Sequence, residues 1–265
     1  MSNQSRSVTV VIPARYDSSR FPGKPLAILN GKPMIQHVYE KAVACRLVSN
    51  VLVATDDDRV KQAVEQFGGQ VVMVNGAYRS GTDRVAAVAR MFAGELFVDL
   101  QGDEIPLNPE LLSDLIEPFV QSDADMGTLK RVMDSTDELH NPSVVKVVTD
   151  SRGYALYFSR APIPFVRDDP DHGVVGGLHY IHLGIYMYSK ETLLRFAALP
   201  TGSLEQAEKL EQLRALEHGM RIRVWQTNFA SLRVDQREDV PIVAEKLQQY
   251  NAIKQELGIK GAVIG

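Results

Sequence analysis

The sequence predicts an α/β fold built on a mostly parallel sheet. Three observations carry that expectation. Four short apolar runs alternate with helix-spaced segments over the first hundred residues. The first run is apolar throughout, as suits a strand buried on both faces of a sheet. Polar loops follow the runs, at the strand ends where ligands of such sheets bind.

Val8 to Ile12 is the first run, and Pro13 stops it. Pro33 to Ala44 has helical spacing, with Met34, Val38 and Ala42 on one side. Val51 to Ala54 is the second run. Asp57 or Asp58 caps the next helix, which runs through Val60, Val64 and Phe67 until Gly68-Gly69 ends it. Val71 to Val74 is the third run. Thr82 starts a helix through Val85, Val88 and Ala89, and Leu96 to Leu100 is the fourth run.

The second half is less regular. Val144 to Val148, Ala155 to Phe158 and Leu183 to Tyr188 read as strands without long helices between them. Arg167 to Leu178 is polar and glycine-rich, the pattern of a mobile loop. Leu204 to Glu217 reads as one helix, its apolar side made by Leu204, Ala207, Leu210, Leu213 and Leu216. Ile222 to Val224 is a last strand, and Glu238 to Leu257 a charged surface helix with Pro241 in its first turn. There is no repeat, low-complexity segment or clear linker. A single α/β domain with a mixed-sheet extension is the economical reading.

Composition narrows the function. The chain has 265 residues, net charge -4, 45% hydrophobic and 23% charged residues, as a soluble globular protein does. The mild acidity argues against nucleic-acid binding, which wants a basic face. Cys45 stands alone, so it forms neither an intramolecular disulfide nor a cysteine zinc site, and it reads as a core filler. The polar stretch Met1 to Ser7 lacks a signal peptide's apolar centre, and no run is long enough to span a bilayer. A cytoplasmic location follows as the expectation.

Three clusters can carry chemistry. The first loop places Arg15, Arg20 and Lys24 with Ser18, Ser19 and Gly23 directly after a buried strand. Its backbone N–H groups and arginine forks suit phosphate oxygens, although neither GxxxxGK[ST] nor GxGxxG is present. A solvated basic loop is the alternative. Ser80-Gly81-Thr82-Asp83-Arg84 opens a helix, where Ser and Thr serve either as caps or as ligand contacts. Gln101-Gly102-Asp103 ends the fourth strand, where a carboxylate either holds Mg²⁺ or faces water. Asp56-Asp57-Asp58 resembles a DxD metal motif but is read as a helix cap.

The stretch Pro13-Ala14-Arg15-Tyr16 with Ser18-Ser19-Arg20-Phe21-Pro22-Gly23-Lys24-Pro25-Leu26 resembles the opening of the 3-deoxy-manno-octulosonate (Kdo) cytidylyltransferases. The resemblance continues through Asn30 to Ile35, Val53 to Asp56, Ser80 to Arg84 and Gln101 to Glu104. It resumes at Val145 to Val147, Ala155 to Arg160, His182 to Tyr186 and Leu210 to Arg214. So many motifs in family order make chance a poor explanation.

That resemblance implies a three-layer nucleotidyltransferase fold with a mainly parallel central sheet and a smaller mixed-sheet extension. It implies one domain over 1–265: a nucleotide-binding part at about 1–130, a sugar-binding and dimerisation part at about 131–235, and a C-terminal helix at about 236–265. The implied reaction joins CTP and an acidic eight-carbon sugar, releases pyrophosphate, and activates the sugar for lipopolysaccharide synthesis. Arg15, Lys24 and Asp103 are then catalytic. Arg15, Arg20, Lys24, Ser80, Arg84 and Gln101 bind the nucleotide. Arg160, His182, Tyr186, Glu211 and Gln212 bind the sugar, and Asp103 with Asp235 holds Mg²⁺.

The chain departs from the family pattern in two places. Asp99 stands where the family has Asn, either adding charge near the metal or pairing elsewhere. Gln236-Arg237 replaces a Thr-Pro pair after Asp235, and Arg237 brings a cation that can pair with a nearby acid and compete with the metal. The tail after Gly258 extends past the usual end. A homodimer is the implied state, with neither nucleic acid nor membrane insertion. Two alternatives remain: the same reaction on 8-amino-3,8-dideoxy-octulosonate or another acidic sugar, and a nucleotide-binding homologue without turnover.

Overall fold

The computed structural model describes residues 6–17, 21–168 and 173–256. Strand β1 (Val8–Pro13) is buried along its whole length. Val10, Val11 and Ile12 are fully buried, each contributing about 1.5–3 kcal/mol of hydrophobic stabilisation. A turn of 3₁₀ helix at Lys24–Leu26 and the short strands β2 (Ile28–Leu29) and β3 (Lys32–Pro33) lead into α1 (Met34–Val43). Then follow β4 (Asn50–Thr55), α2 (Asp58–Gln66), β5 (Val71–Met73), α3 (Gly81–Met91) and β6 (Leu96–Leu100). The chain continues through β7 (Glu104–Pro106), α4 (Glu110–Val120), β8 (Met126–Val132), α5 (Thr136–His140), β9 (Lys146–Thr149) and β10 (Ala155–Ser159). It ends with β11 (Tyr180–Ser189), α6 (Lys190–Ala198), α7 (Ser203–Glu208), α8 (Gln212–Glu217), β12 (Ile222–Gln226), β13 (Ser231–Arg233) and α9 (Asp239–Glu256).

Two compact units share the chain. The first draws on Met1–Ser113, Tyr188–Ala197 and Phe229–Gly265. Its strands pair in the order β6-β1-β4-β5, every neighbour parallel. All four therefore end at the same edge, so the segments after β1, β5 and β6 start there. A two-stranded antiparallel ribbon, β7 with β13, joins Glu104 to Arg233. Asp57 caps α2 by accepting from the Arg59 N–H at 2.9 Å, and Ser80 caps α3 by accepting from the Asp83 N–H at 3.2 Å. Each such cap stabilises its helix by about 1 kcal/mol. Cys45 is buried against Ser113, the core filler its setting predicted.

The second unit draws on Asp114–Met187 and Ala198–Asn228. It mixes directions: β8 and β12 are parallel, while β9 pairs antiparallel with both β10 and β11.

One expectation fails in this unit. The helix read over Leu204 to Glu217 is two helices, broken at Lys209, whose φ is 54°. Leu210 and Leu213 reach the core while Leu204 is exposed, so the apolar positions do not form one stripe. The guanidinium of Arg160 takes the carbonyls of Glu208 and Lys209 and so stops the first helix. Near the chain end, α9 is the surface helix expected, with Val243, Leu247 and Tyr250 as its buried stripe. Leu257, Gly258 and the tail lie outside the described residues. Among the described residues no helix is long and apolar enough to cross a membrane.

Candidate active site

In the first unit, the segment after β1 starts with Ala14 tied to Ala54 by a 2.9 Å backbone bond. It closes where the Gly23 N–H donates to the Tyr16 carbonyl at 2.8 Å. Gly23 has φ 74°, and a β-carbon there would press on the Tyr16 ring at 3.2 Å, so the turn needs glycine. Arg15 projects outward from this loop. Arg20 lies outside the described residues.

Lys24 is drawn inward. Its Nζ meets Asp103 Oδ2 at 2.5 Å and donates to the Val234 carbonyl at 3.1 Å. Asp103 in turn accepts the Val234 N–H on its backbone carbonyl at 3.2 Å. The β7–β13 ribbon thus brings Asp103, just before β7, to the segment carrying Asp235, just after β13. Arg233 Nε donates to Asp235 Oδ1 at 3.1 Å. Burial pulls the Arg233 pKa down, but Asp103, Glu104 and Asp235 together more than reverse that. Glu104 is buried beside them, its pKa raised by burial and eased by Arg233 and by a hydrogen bond from Ser231.

Asp239 fixes the approach to α9 by accepting the N–H groups of Asp235 and Gln236, each at 2.8 Å. This bonding orders the segment where proline is missing. Arg237 lies over the Phe21 ring at 4.9 Å, and the cation on Asp235 is Arg233.

Magnesium takes one or two protein carboxylates and completes its octahedron with water and phosphate oxygens. Asp103 and Asp235, brought to one end of the ribbon, are the two carboxylates that could serve as such a pair. Among the described residues no cluster of three or more His, Cys, Asp or Glu side chains forms a closed metal cage.

On α3, Arg84 is buried, and its Nη2 meets Asp56 Oδ2 at 2.6 Å. Its Nε and Nη1 are buried with no hydrogen-bond partner among the described residues. Burial lowers the Arg84 pKa, Asp56 opposes the shift, and the nearby charge of Arg15 adds to it. Asp56 is therefore a counter-ion, while Asp57 alone of the three acids caps the helix through its side chain. Two orphaned buried donors beside Arg15 suit an anion or a polar base edge.

Gln101 donates from Nε2 to Asp99 Oδ1 at 2.7 Å, and Thr82 Oγ1 donates to Asp99 Oδ2 at 2.8 Å. Asp99 is fully buried and so pairs elsewhere, one of its two readings. A β-carbon on Gly81 would stand 2.9 Å from Gln101 Oε1, so a larger residue there would displace the Gln101 side chain.

The remaining candidates belong to the second unit. Arg160 follows Ser159, the last residue of β10, and its side chain reaches carbonyls: Nε to Glu208 at 2.7 Å, Nη1 to Pro142 at 2.7 Å and Nη2 to Lys209 at 3.4 Å. His182 and Tyr186 share a face of β11, as period two predicted, with ring centroids 5.4 Å apart. Phe158 packs edge-on against His182 at 4.8 Å. His182 Nε2 lies 3.0 Å from Thr128 Oγ1.

Glu211 and Gln212 do not ride mid-helix; they open α8 just past the break. Arg214, almost wholly buried, binds Glu205 through Nε and Nη2 at 2.8 and 2.6 Å and reaches Glu211 at 3.5 Å. His179, left as a loop residue by the sequence, is buried, with Nε2 3.0 Å from the Pro164 carbonyl. His172 lies outside the described residues.

Sequence reasoning missed Arg233 and Glu208, and it quoted Asp56 and Lys146 only within motifs, without the partners the structure gives them. Arg233 had one signal, standing two residues before a proposed ligand.

Comparison with known proteins adds the following. A family model described as cytidylyltransferase matches residues 9–222. A 3-deoxy-manno-octulosonate cytidylyltransferase of Geobacter sulfurreducens is 50% identical over 249 residues, covering 91% of this chain and 100% of that protein. An 8-amino-3,8-dideoxy-manno-octulosonate cytidylyltransferase of Shewanella sp. (strain ANA-3) is 48% identical over 246 residues, covering 91% and 98%. A solved structure of CMP:2-keto-3-deoxy-manno-octonic acid synthetase complexed with CTP superposes with TM-score 0.85 at 40% identity, covering 92% of this chain and 99% of that one.

Proposed function

Because this chain belongs to the cytidylyltransferase family, we propose that it transfers the CMP unit of CTP to 3-deoxy-manno-octulosonate and releases pyrophosphate. The product is the activated sugar for lipopolysaccharide assembly. The observation that carries the chemistry is Lys24 held between Asp103 and the Val234 carbonyl, beside Asp235, in a unit whose parallel strands end at one edge.

Arg15 and Lys24 bind the triphosphate, with Arg20 from the same loop. Arg84 offers its two unpartnered donors to the nucleotide, and Ser80 and Gln101 border that site. Asp103 and Asp235 would hold Mg²⁺, which when bound neutralises charge on the phosphate oxygens. As CTP enters, Lys24 exchanges the Asp103 carboxylate for phosphate oxygens. Arg160 takes the sugar carboxylate, and His182, Tyr186, Glu211 and Gln212 meet its hydroxyls.

The anomeric hydroxyl of the sugar attacks the α-phosphorus. Its O–P bond forms as the bond to pyrophosphate breaks, and its proton passes to solvent. Positioning and charge stabilisation lower the barrier, with no covalent enzyme intermediate. The working state is a homodimer, as the sequence resemblance implies, and its place is the cytoplasm.

The test is pyrophosphate release from CTP and Kdo with and without Mg²⁺, with the 8-amino sugar alongside. Release with Kdo that stops on chelation supports the reading. Turnover of the 8-amino sugar alone selects the second reading, which the Shewanella relative favours. No release with either sugar from folded protein refutes both. Sedimentation of active enzyme as a monomer would remove the dimer.

A further inference from the structure

In the second unit, Arg160 is gripped from several directions at once. The Glu208 carboxylate accepts the Ser159 hydroxyl at 2.6 Å and the Arg160 N–H at 2.9 Å. The Glu208 carbonyl accepts Arg160 Nε at 2.7 Å. From the other side, the Arg160 carbonyl takes Lys146 Nζ at 2.6 Å. The same ammonium donates to the Asn141 and Val144 carbonyls at 3.0 and 2.7 Å, and Lys146 is fully buried. Its pKa is lowered by burial first and by the Arg160 charge second, with Glu208 opposing.

This is more bonding than an arginine at the end of a strand needs. A guanidinium has five N–H donors, and three are used here on Glu208, Pro142 and Lys209. The other two, one on each terminal nitrogen, have no partner among the described residues. Those are the two nitrogens from which a fork can bind both oxygens of a carboxylate. The charges fit as well. Two cations, Lys146 and Arg160, share one anion, Glu208, so the cluster carries one uncompensated positive charge. A sugar acid with a single carboxylate supplies the missing one.

We propose that Glu208 and Lys146 are positioning residues for Arg160, fixing its backbone and guanidinium to read a monocarboxylate sugar. The proposal rests on the role given to Arg160 above. A long side chain ordered before binding loses less freedom when the ligand arrives. Glu208 closes α7 and Lys146 opens β9, so the Arg160 group is set by two elements of the unit.

The test is steady-state kinetics on Glu208→Gln, Arg160→Ala and the double variant, with CTP and sugar varied separately. Glu208→Gln keeps the side-chain shape but replaces one accepting oxygen and removes the charge. We expect its sugar KM to rise about ten-fold while its CTP KM stays within about two-fold. In the Arg160→Ala background the same change should move the sugar KM by less than about two-fold, because its target is gone. A merely structural role would act equally in both backgrounds, and that result overturns the proposal.

Arg160→Ala with a raised sugar KM beside Glu208→Gln with an unchanged one also overturns it, while leaving the role of Arg160 intact. An unchanged sugar KM in Arg160→Ala removes that role, and the proposal with it. Should Glu208→Gln fail to fold, Ser159→Ala removes one bond to the same carboxylate and is read identically: a selective rise in sugar KM supports the proposal, and none refutes it.

Discussion

Replacing Asp56 with alanine isolates the electrostatics of the nucleotide side. The Arg84 guanidinium is almost wholly buried, and Asp56 is its partner at 2.6 Å. Breaking a fully buried pair by removing one member costs about 3–5 kcal/mol, because the other charge is left in low dielectric. The Asp56 side chain, however, is 36% exposed, and solvent screening there brings the figure to about 1.5–3 kcal/mol. For a chain of this size each kcal/mol moves the melting midpoint by about 2–4 °C, so a fall of about 3–12 °C is expected.

Calorimetry of the parent and Asp56→Ala measures it, and CTP adds a second readout. If Arg84 donates to the nucleotide, CTP re-pairs the stranded cation and raises the midpoint of the variant more than that of the parent. A midpoint within about 1 °C of the parent would falsify the claim that Asp56 neutralises a buried cation. An equal CTP shift in both proteins would separate Arg84 from the nucleotide.

Asp103→Ala should lower turnover by about 10³-fold or more while leaving the fold intact by circular dichroism; near-parental pyrophosphate release would remove Asp103 from the metal pair. Arg15→Ala should raise the CTP KM several-fold with the sugar KM steady, and an equal rise in both would argue against phosphate contact. Lys41, beside the Tyr250 ring and bonded to the Leu107 carbonyl, has its pKa lowered from 10.5 to about 8, chiefly by burial and then by Lys254. The unfolded chain therefore binds more protons above pH 8, so this group makes stability rise with pH from about 8 towards 10. Denaturant titrations should show that rise in the parent and a shallower one in Lys41→Met; equal slopes would refute it.

The first unit was largely legible in the sequence because its signals are local. An all-apolar run gives β1, and Asp57 and Ser80 mark helix starts within two or three residues of the groups they cap. The loop after β1 and Asp103 were legible as candidates because ligands of parallel sheets bind at the strand ends. The partners of those residues were not visible. Arg84 meets Asp56 across 28 positions, and Lys24 meets Asp103 across 79. Strand β8 was missed although Met126 to Leu129 are buried, since its C-terminal half turns polar. The break at Lys209 was missed for a similar reason. Its cause is a guanidinium 49 residues upstream, and helical periodicity cannot register a partner that distant.

The first unit is assembled from three separate stretches, and this bears on how the enzyme is made. A ribosome delivers Lys24 and Asp103 long before Val234 and Asp235. Until then β7 lacks β13, Lys24 lacks the Val234 carbonyl, and the carboxylate pair is incomplete. Chains that stop between the two therefore carry Lys24 and Asp103 without the segment that meets them. Closure of the Lys24 cluster is therefore a late event of folding, waiting for a segment made long after the parallel strands it serves.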